Sequence, residues 1–183
     1  MTVRIPYDEM GVDMNNLGCV MLDVEDPGFG NNIHPRLWFT PTEEERQILG
    51  DKTSKFARET QSHVTLLYGL TENANTWRKY VDIALDGWEV PSYLEIKEFG
   101  VFAPAHGIYE VLVAHILEYG ALTDAHSRLR RLPHIDGFPT YKPHMTLGYM
   151  LPGIAGYIAD DFNKKFKYAG VTTTGLNYGR EPR

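Results

Sequence analysis

The chain has 183 residues, a formal net charge of −6 and a single cysteine, Cys19. Its length suits one domain of two small lobes spanning residues 1–183, and one cysteine excludes an intrachain disulfide and fits a reducing compartment. The acidic balance, with no Lys/Arg-rich tail, argues against a protein that coats long DNA or RNA, because such affinity comes largely from neutralised phosphates.

The opening stretch carries Asp8, Glu9 and Asp13 where a signal peptide needs an apolar core. No apolar run approaches the roughly 20 residues that span a bilayer. The expectation is a cytoplasmic protein without a membrane partner, and the sequence assigns no oligomeric state.

Gly18–Val24 is predicted as a buried strand, rich in Val, Met and Leu. Within it Cys19 reads as a packed thiol rather than a nucleophile. Gly28–Asn32 (GFGNN) reads as a mobile turn and a candidate flap; it lacks the spacing of a phosphate loop or a dinucleotide fingerprint. Thr42 followed by three glutamates opens a helix expected to reach about Thr60, with a break near Gly50. Ser62–Leu70 is predicted as a strand. A helix from about Thr76 to Asp86, capped by Asn75, has Trp77, Tyr80, Val81, Ala84 and Leu85 on one face. Tyr93–Ala103 follows as a strand.

The order then echoes itself. Tyr109–Leu117 is a second apolar strand, Tyr119–Leu132 a helix, Pro143–Met150 a strand, Ile154–Phe166 a helix, and Gly170–Tyr178 a threonine-rich strand. Several strands follow one another directly, which favours an α+β architecture with antiparallel pairing.

Two segments match across this echo: Ser62-His63-Val64-Thr65-Leu66 and Pro143-His144-Met145-Thr146-Leu147. One His-x-Thr is weak evidence, because with seven histidines a chance copy is unremarkable. Two copies with matching apolar neighbours, each on a predicted strand in its own half, are much harder to obtain by accident. Residues i and i+2 of a strand share a face. Each strand therefore presents one imidazole and one hydroxyl to a common side, and turns Val64 or Met145 the other way.

Imidazole serves as base when neutral and as acid when protonated, near its ordinary pKa of about 6.5. Phosphodiester cleavage needs both roles. Threonine hydroxyls can donate to the non-bridging oxygens as charge shifts there. The layout needs no metal and no cofactor.

The paired His-apolar-Thr strands resemble the two-histidine (2H) phosphoesterase superfamily. The likeness runs through most of the chain as an order of elements and is specific at the two motifs. It implies a two-lobed, pseudo-symmetric α+β fold: two antiparallel sheets, helices outside, a central cleft. It implies that His63 and His144 act as general base and acid, in an order left open, while Thr65 and Thr146 bind phosphate. Within the superfamily the chain looks most like the phage anti-CBASS phosphodiesterases, which degrade cyclic di- and trinucleotide immune signals such as cyclic GMP–AMP. Compact length, acidic balance and the stretch Ile5–Gly11 lean that way. The implied partner is then a small cyclic oligonucleotide, attacked by its own 2′-hydroxyl and opened to a linear product. Two alternatives stand beside it: an RNA 2′,3′-cyclic phosphodiesterase of the RNA ligase-like group, and a non-catalytic protein that sequesters a nucleotide.

Weaker candidates for substrate binding are Tyr7, Tyr141, Lys142 and Tyr178. The tyrosines are candidate stacking platforms, as are Trp38 and Phe39, and Lys142 is a phosphate contact on the face of His144. For each aromatic group a core or surface role is the stronger expectation. His34, His106, His126 and His134 are expected at the surface, and His115 as a partly buried, satisfied group. His106 and Tyr109 precede a strand and could reach the cleft.

Overall fold

The computed structural model describes residues 17–49, 56–72, 74–135 and 140–179. Their strands and helices follow the predicted order. The strands are β1 (Gly18–Val24), β2 (His63–Leu70), β3 (Tyr93–Phe102), β4 (Glu110–Ile116), β5 (His144–Met150) and β6 (Gly170–Asn177). The helices are α1 (Glu43–Leu49), α2 (Ala74–Ala84), α3 (Ala121–Leu129) and α4 (Ala155–Lys165).

All six strands join one closed antiparallel ring in the order β1-β2-β5-β4-β3-β6. Two separate sheets were expected; instead two three-stranded halves, β6-β1-β2 and β5-β4-β3, are stitched together twice. At one seam β2 meets β5 through a single pair, Val64 with Met145. At the other, Tyr93–Glu95 of β3 pairs with Gly170–Thr172 of β6. The third strand of each sequence half has crossed over: β3 lies beside β4, and β6 beside β1. Each half thus completes its sheet with a strand from the other.

Helix patterning explains which face of the ring is dry. Leu122, Ala125 and Leu129 of α3 are buried, as are Ala155, Ala159 and Phe162 of α4, at the three- and four-residue spacings of one helix face. On α2, Val81 is fully buried, whereas Tyr80 is 51% exposed and leaves the predicted apolar face. Alternate strand residues Val20, Leu22, Val64, Leu112, Ala114 and Met145 complete the core. The opposite strand face is free for chemistry.

Three boundaries differ from expectation. Thr42 and Glu45 form a reciprocal capping box (2.7 and 3.2 Å), so α1 starts as predicted. Residues 56–60 are not helical, however: Ala57 has φ +69, Arg58 bridges to Gly148 of β5, and Glu59 N–H donates to the Leu147 carbonyl. The pull of an unpaired strand edge outweighs helix propensity there. Similarly, α2 begins at Ala74, so Asn75 lies inside its first turn rather than at the cap.

The GFGNN turn is an anchor, not a flap. Phe29 is buried, with ring centroids 5.0 Å from Phe99 and 4.9 Å from Phe166. Beside it, Arg58 donates to Asn31 (2.6 Å) and pairs with Asp26 (2.8 Å).

Candidate active site

The seam between β2 and β5 is built from the two motifs themselves. Val64 and Met145, the middle residues of the motifs, are register partners and are buried. Strand alternation turns their neighbours the other way, so His63, Thr65, His144 and Thr146 all project from the opposite face, half-buried. Antiparallel pairing about Val64 and Met145 sets His63 across from Thr146, and His144 across from Thr65. The structure therefore brings the four motif side chains into one patch related by a local twofold.

The leucine that follows each threonine now has a physical reason. Met21 pairs with Thr65 but Val20 with Leu67, so Leu66 is an extra residue in the β1–β2 ladder. Likewise Val113 pairs with Thr146 but Leu112 with Gly148, leaving Leu147 extra in the β4–β5 ladder. Each motif ends in a β-bulge, a device that bends a strand and re-aims side chains. Both extra leucines are buried. Their carbonyls, lost to the ladder, are satisfied elsewhere: Leu66 by His126 Nδ1 (2.6 Å), Leu147 by Glu59 N–H (2.9 Å). Gly148 is needed at the second bulge, because a Cβ there would lie 2.6 Å from the Ala57 carbonyl oxygen.

The two imidazoles are oriented in the same manner. His63 Nδ1 lies 2.7 Å from the Gln61 carbonyl, and His144 Nδ1 lies 2.8 Å from the Lys142 carbonyl. A carbonyl can only accept, so each Nδ1 carries the hydrogen. In the neutral rings Nε2 is then the lone-pair nitrogen, and in the protonated rings the proton available for transfer sits on Nε2. Among the described residues neither threonine hydroxyl has a hydrogen-bond partner.

The flanking strands break this symmetry. Asp23 of β1 is the register partner of His63, and His115 of β4 is that of His144. Asn177 donates to both Asp23 oxygens (3.1 Å each). The His115 ring centroid lies 6.5 Å from that of His144, and Phe102 sits edge-on to His144 at 4.8 Å. Gly100 makes room for this arrangement: a Cβ there would lie 2.8 Å from His115 Nε2. Burial, and secondarily the His63 charge, hold the His144 pKa below the ordinary 6.5 despite the favourable carbonyl bond. Burial, then the charges of His144, Lys142 and Lys97, lower His115 against the pull of Glu98.

These shifts have a consequence for stability. The unfolded chain takes up protons on both histidines near 6.5, and the folded chain only at lower pH. The unfolded state thus binds more protons in that window, so stability rises with pH and is lost as pH falls through it. Denaturant midpoints should be lower at about pH 5.5 than at about pH 7.5, and His115→Gln should flatten the slope. Equal midpoints at both pH values would show that the histidines are not held neutral by the fold.

Of the weaker candidates, Tyr141 does not offer its ring to a substrate. It stacks face to face on His126 (4.1 Å, 6° between planes) and donates to the Thr65 carbonyl (3.0 Å). Its burial pushes the phenol pKa well above the ordinary range. Tyr141 and His126 together brace the first bulge, so His126 is not a surface group. Tyr178 turns to the helix side, where its hydroxyl meets Asp82 and Arg78 lies over its ring at 4.8 Å. Alternation gives the cleft face to Asn177 instead. Lys142 is exposed beside the patch and gives its carbonyl to His144. Trp38 packs against the core. Tyr7 lies outside the described residues.

Asp23, Phe102 and Asn177 are patch residues that sequence reading did not single out, and His115 was placed away from it. Their only sequence signal was strand alternation combined with a register that the sequence does not contain. Among the described residues no three His, Cys, Asp or Glu side chains converge as metal ligands, and no helix is long and apolar enough to cross a membrane.

No protein-family model and no curated protein matches the sequence. Solved structures do match. One is Usb1 of Kluyveromyces marxianus, with a TM-score of 0.56 over 88% of this chain and 92% of that one, at 12% identity. At that identity the likeness is one of fold, and it extends over nearly the whole of both chains.

Proposed function

We propose that the protein is a metal-independent phosphodiesterase in which His144 is the general base and His63 the general acid. One observation carries this reading: two imidazoles on neighbouring strands, both holding Nδ1–H on a backbone carbonyl, both leaving Nε2 for proton transfer. The asymmetry of their neighbours supports the order of roles. His144 is kept below 6.5 by burial and so starts neutral near pH 7, the state a general base needs, which leaves the acid role to His63.

In the reaction a ribose 2′-hydroxyl gives its proton to His144 Nε2 and attacks phosphorus. The bond to the leaving oxygen breaks, and that oxygen takes the proton from His63 Nε2. Thr65 and Thr146 donate to the two non-bridging oxygens as negative charge concentrates on them. The products are a cyclic phosphate end and a free hydroxyl, so a cyclic substrate becomes linear. Water attack with the roles reversed would open the cyclic phosphate.

The substrate we assign is a small cyclic di- or trinucleotide of bacterial immune signalling, degraded by a phage protein as counter-defence. The net charge of −6 favours a compact ligand over a long polyanion. A second reading, cleavage at an RNA end, would use the same two imidazoles and two hydroxyls on a terminal phosphodiester. Incubation with cyclic GMP–AMP in excess chelator, and separately with RNA bearing a 2′,3′-cyclic end, distinguishes them by chromatography. Linear nucleotide from the first substrate alone is the expected result. Turnover of RNA alone would replace the cyclic-nucleotide assignment, and tight binding without turnover would leave a sequestering protein.

A further inference from the structure

Beyond Thr146 the cleft face continues into an aromatic pocket that the chemistry above does not use. The bulge at Leu147 returns Tyr149 to the same face as Thr146: their partners on β4 are Val111 and Val113, two residues apart. At a rise of roughly 3.4 Å per residue the two positions stand about 7 Å apart along the strand, a span that one ribose can bridge. Around Tyr149 stand Phe56 (5.3 Å between ring centroids) and Tyr109 (5.2 Å), with His106 on Tyr109 at 4.8 Å. Phe39, buried to 3% exposure yet outside the main core, forms the floor at 5.6 Å from Phe56.

We infer that this pocket is a nucleobase subsite, holding one base of the substrate next to the phosphate patch; the inference rests on the phosphodiesterase reading. Two features select that occupant. First, the lining residues among those described, Ile48, Leu49, Phe56, His106, Tyr109 and Tyr149, are apolar or aromatic, and such walls suit an aromatic ring. Second, the cavity of about 240 Å³ is below the roughly 300–1,000 Å³ of pockets for drug-sized ligands, so it fits a single ring system and not a whole dinucleotide.

The test uses binding rather than turnover. The whole protein is titrated calorimetrically with AMP and with ribose 5-phosphate, which differ by the base alone. The wild type should bind AMP about tenfold more tightly, the scale of one base–aromatic stack. Tyr149→Leu should bring AMP to the affinity of ribose 5-phosphate and leave the latter unchanged; Phe56→Leu serves if the first variant fails to fold. A preference for AMP that survives in a folded variant, or its absence in the wild type, overturns the subsite. Loss of the phosphodiesterase reading looks different: cyclic-nucleotide turnover would not depend on His63 and His144, while the preference for AMP would persist.

Discussion

Replacing either His63 or His144 by alanine should lower turnover by roughly 10²–10⁴-fold, the contribution of a positioned general acid or base. Both side chains are half-buried on the cleft face, and neither belongs to the core cluster. Circular dichroism and denaturant midpoints should therefore stay close to wild type. The double variant should lose little more than either single one, because acid and base act on one transition state. Single-turnover cleavage of cyclic GMP–AMP, followed across pH, gives the readout. A bell-shaped profile is expected whose limbs belong to the coupled pair, since the His63 charge acts on His144. In His63→Gln the His144 imidazole should titrate at higher pH, which nuclear magnetic resonance of the ring protons reports directly. A near-wild-type rate in either alanine variant would remove the two-histidine mechanism.

Phe29→Ala should destabilise the fold by about 3–5 kcal/mol, the usual cost of emptying a buried phenylalanine site. Phe29 closes an aromatic cluster with Phe99, Phe162 and Phe166 between the β1–β2 connection and α4. Loss of its ring leaves a cavity among rigid rings that cannot collapse easily. The glycine-rich composition around Phe29 argued for a mobile turn, and the two readings separate cleanly. An anchor lowers the denaturant midpoint and leaves KM nearly unchanged in the remaining folded protein. A flap would change KM and leave stability within about 0.5 kcal/mol of wild type, as surface substitutions do.

How far the sequence reaches is best seen at the same places. The six strands and four α-helices of the described residues were legible because apolar spacing alternates between two and about 3.6 residues along the chain. The His-x-Thr pair was legible because strand alternation needs only i and i+2, a local relation. Local composition misled where a distant partner decided the outcome. Residues 56–60 look like a helix end, yet Arg58 and Glu59 pair with Gly148 and Leu147 of β5. Tyr141 and Tyr178 look like stacking platforms, but one is held by His126 and the other by α2.

By itself, then, the sequence determined the order of elements, the antiparallel α+β class and the side of each motif strand on which His and Thr stand. Only the tertiary structure decided that the two motifs meet. The crossover of β3 and β6 closes a ring, and the single Val64–Met145 pair sets their separation and mutual orientation. It also decided that Leu66 and Leu147 are bulge residues, that His115 and Asp23 flank the two imidazoles, and that Tyr149 reopens onto the cleft. Register is the physical reason: a shift of one residue between strands exchanges the two faces, and it is set by packing across the whole ring rather than by any one segment.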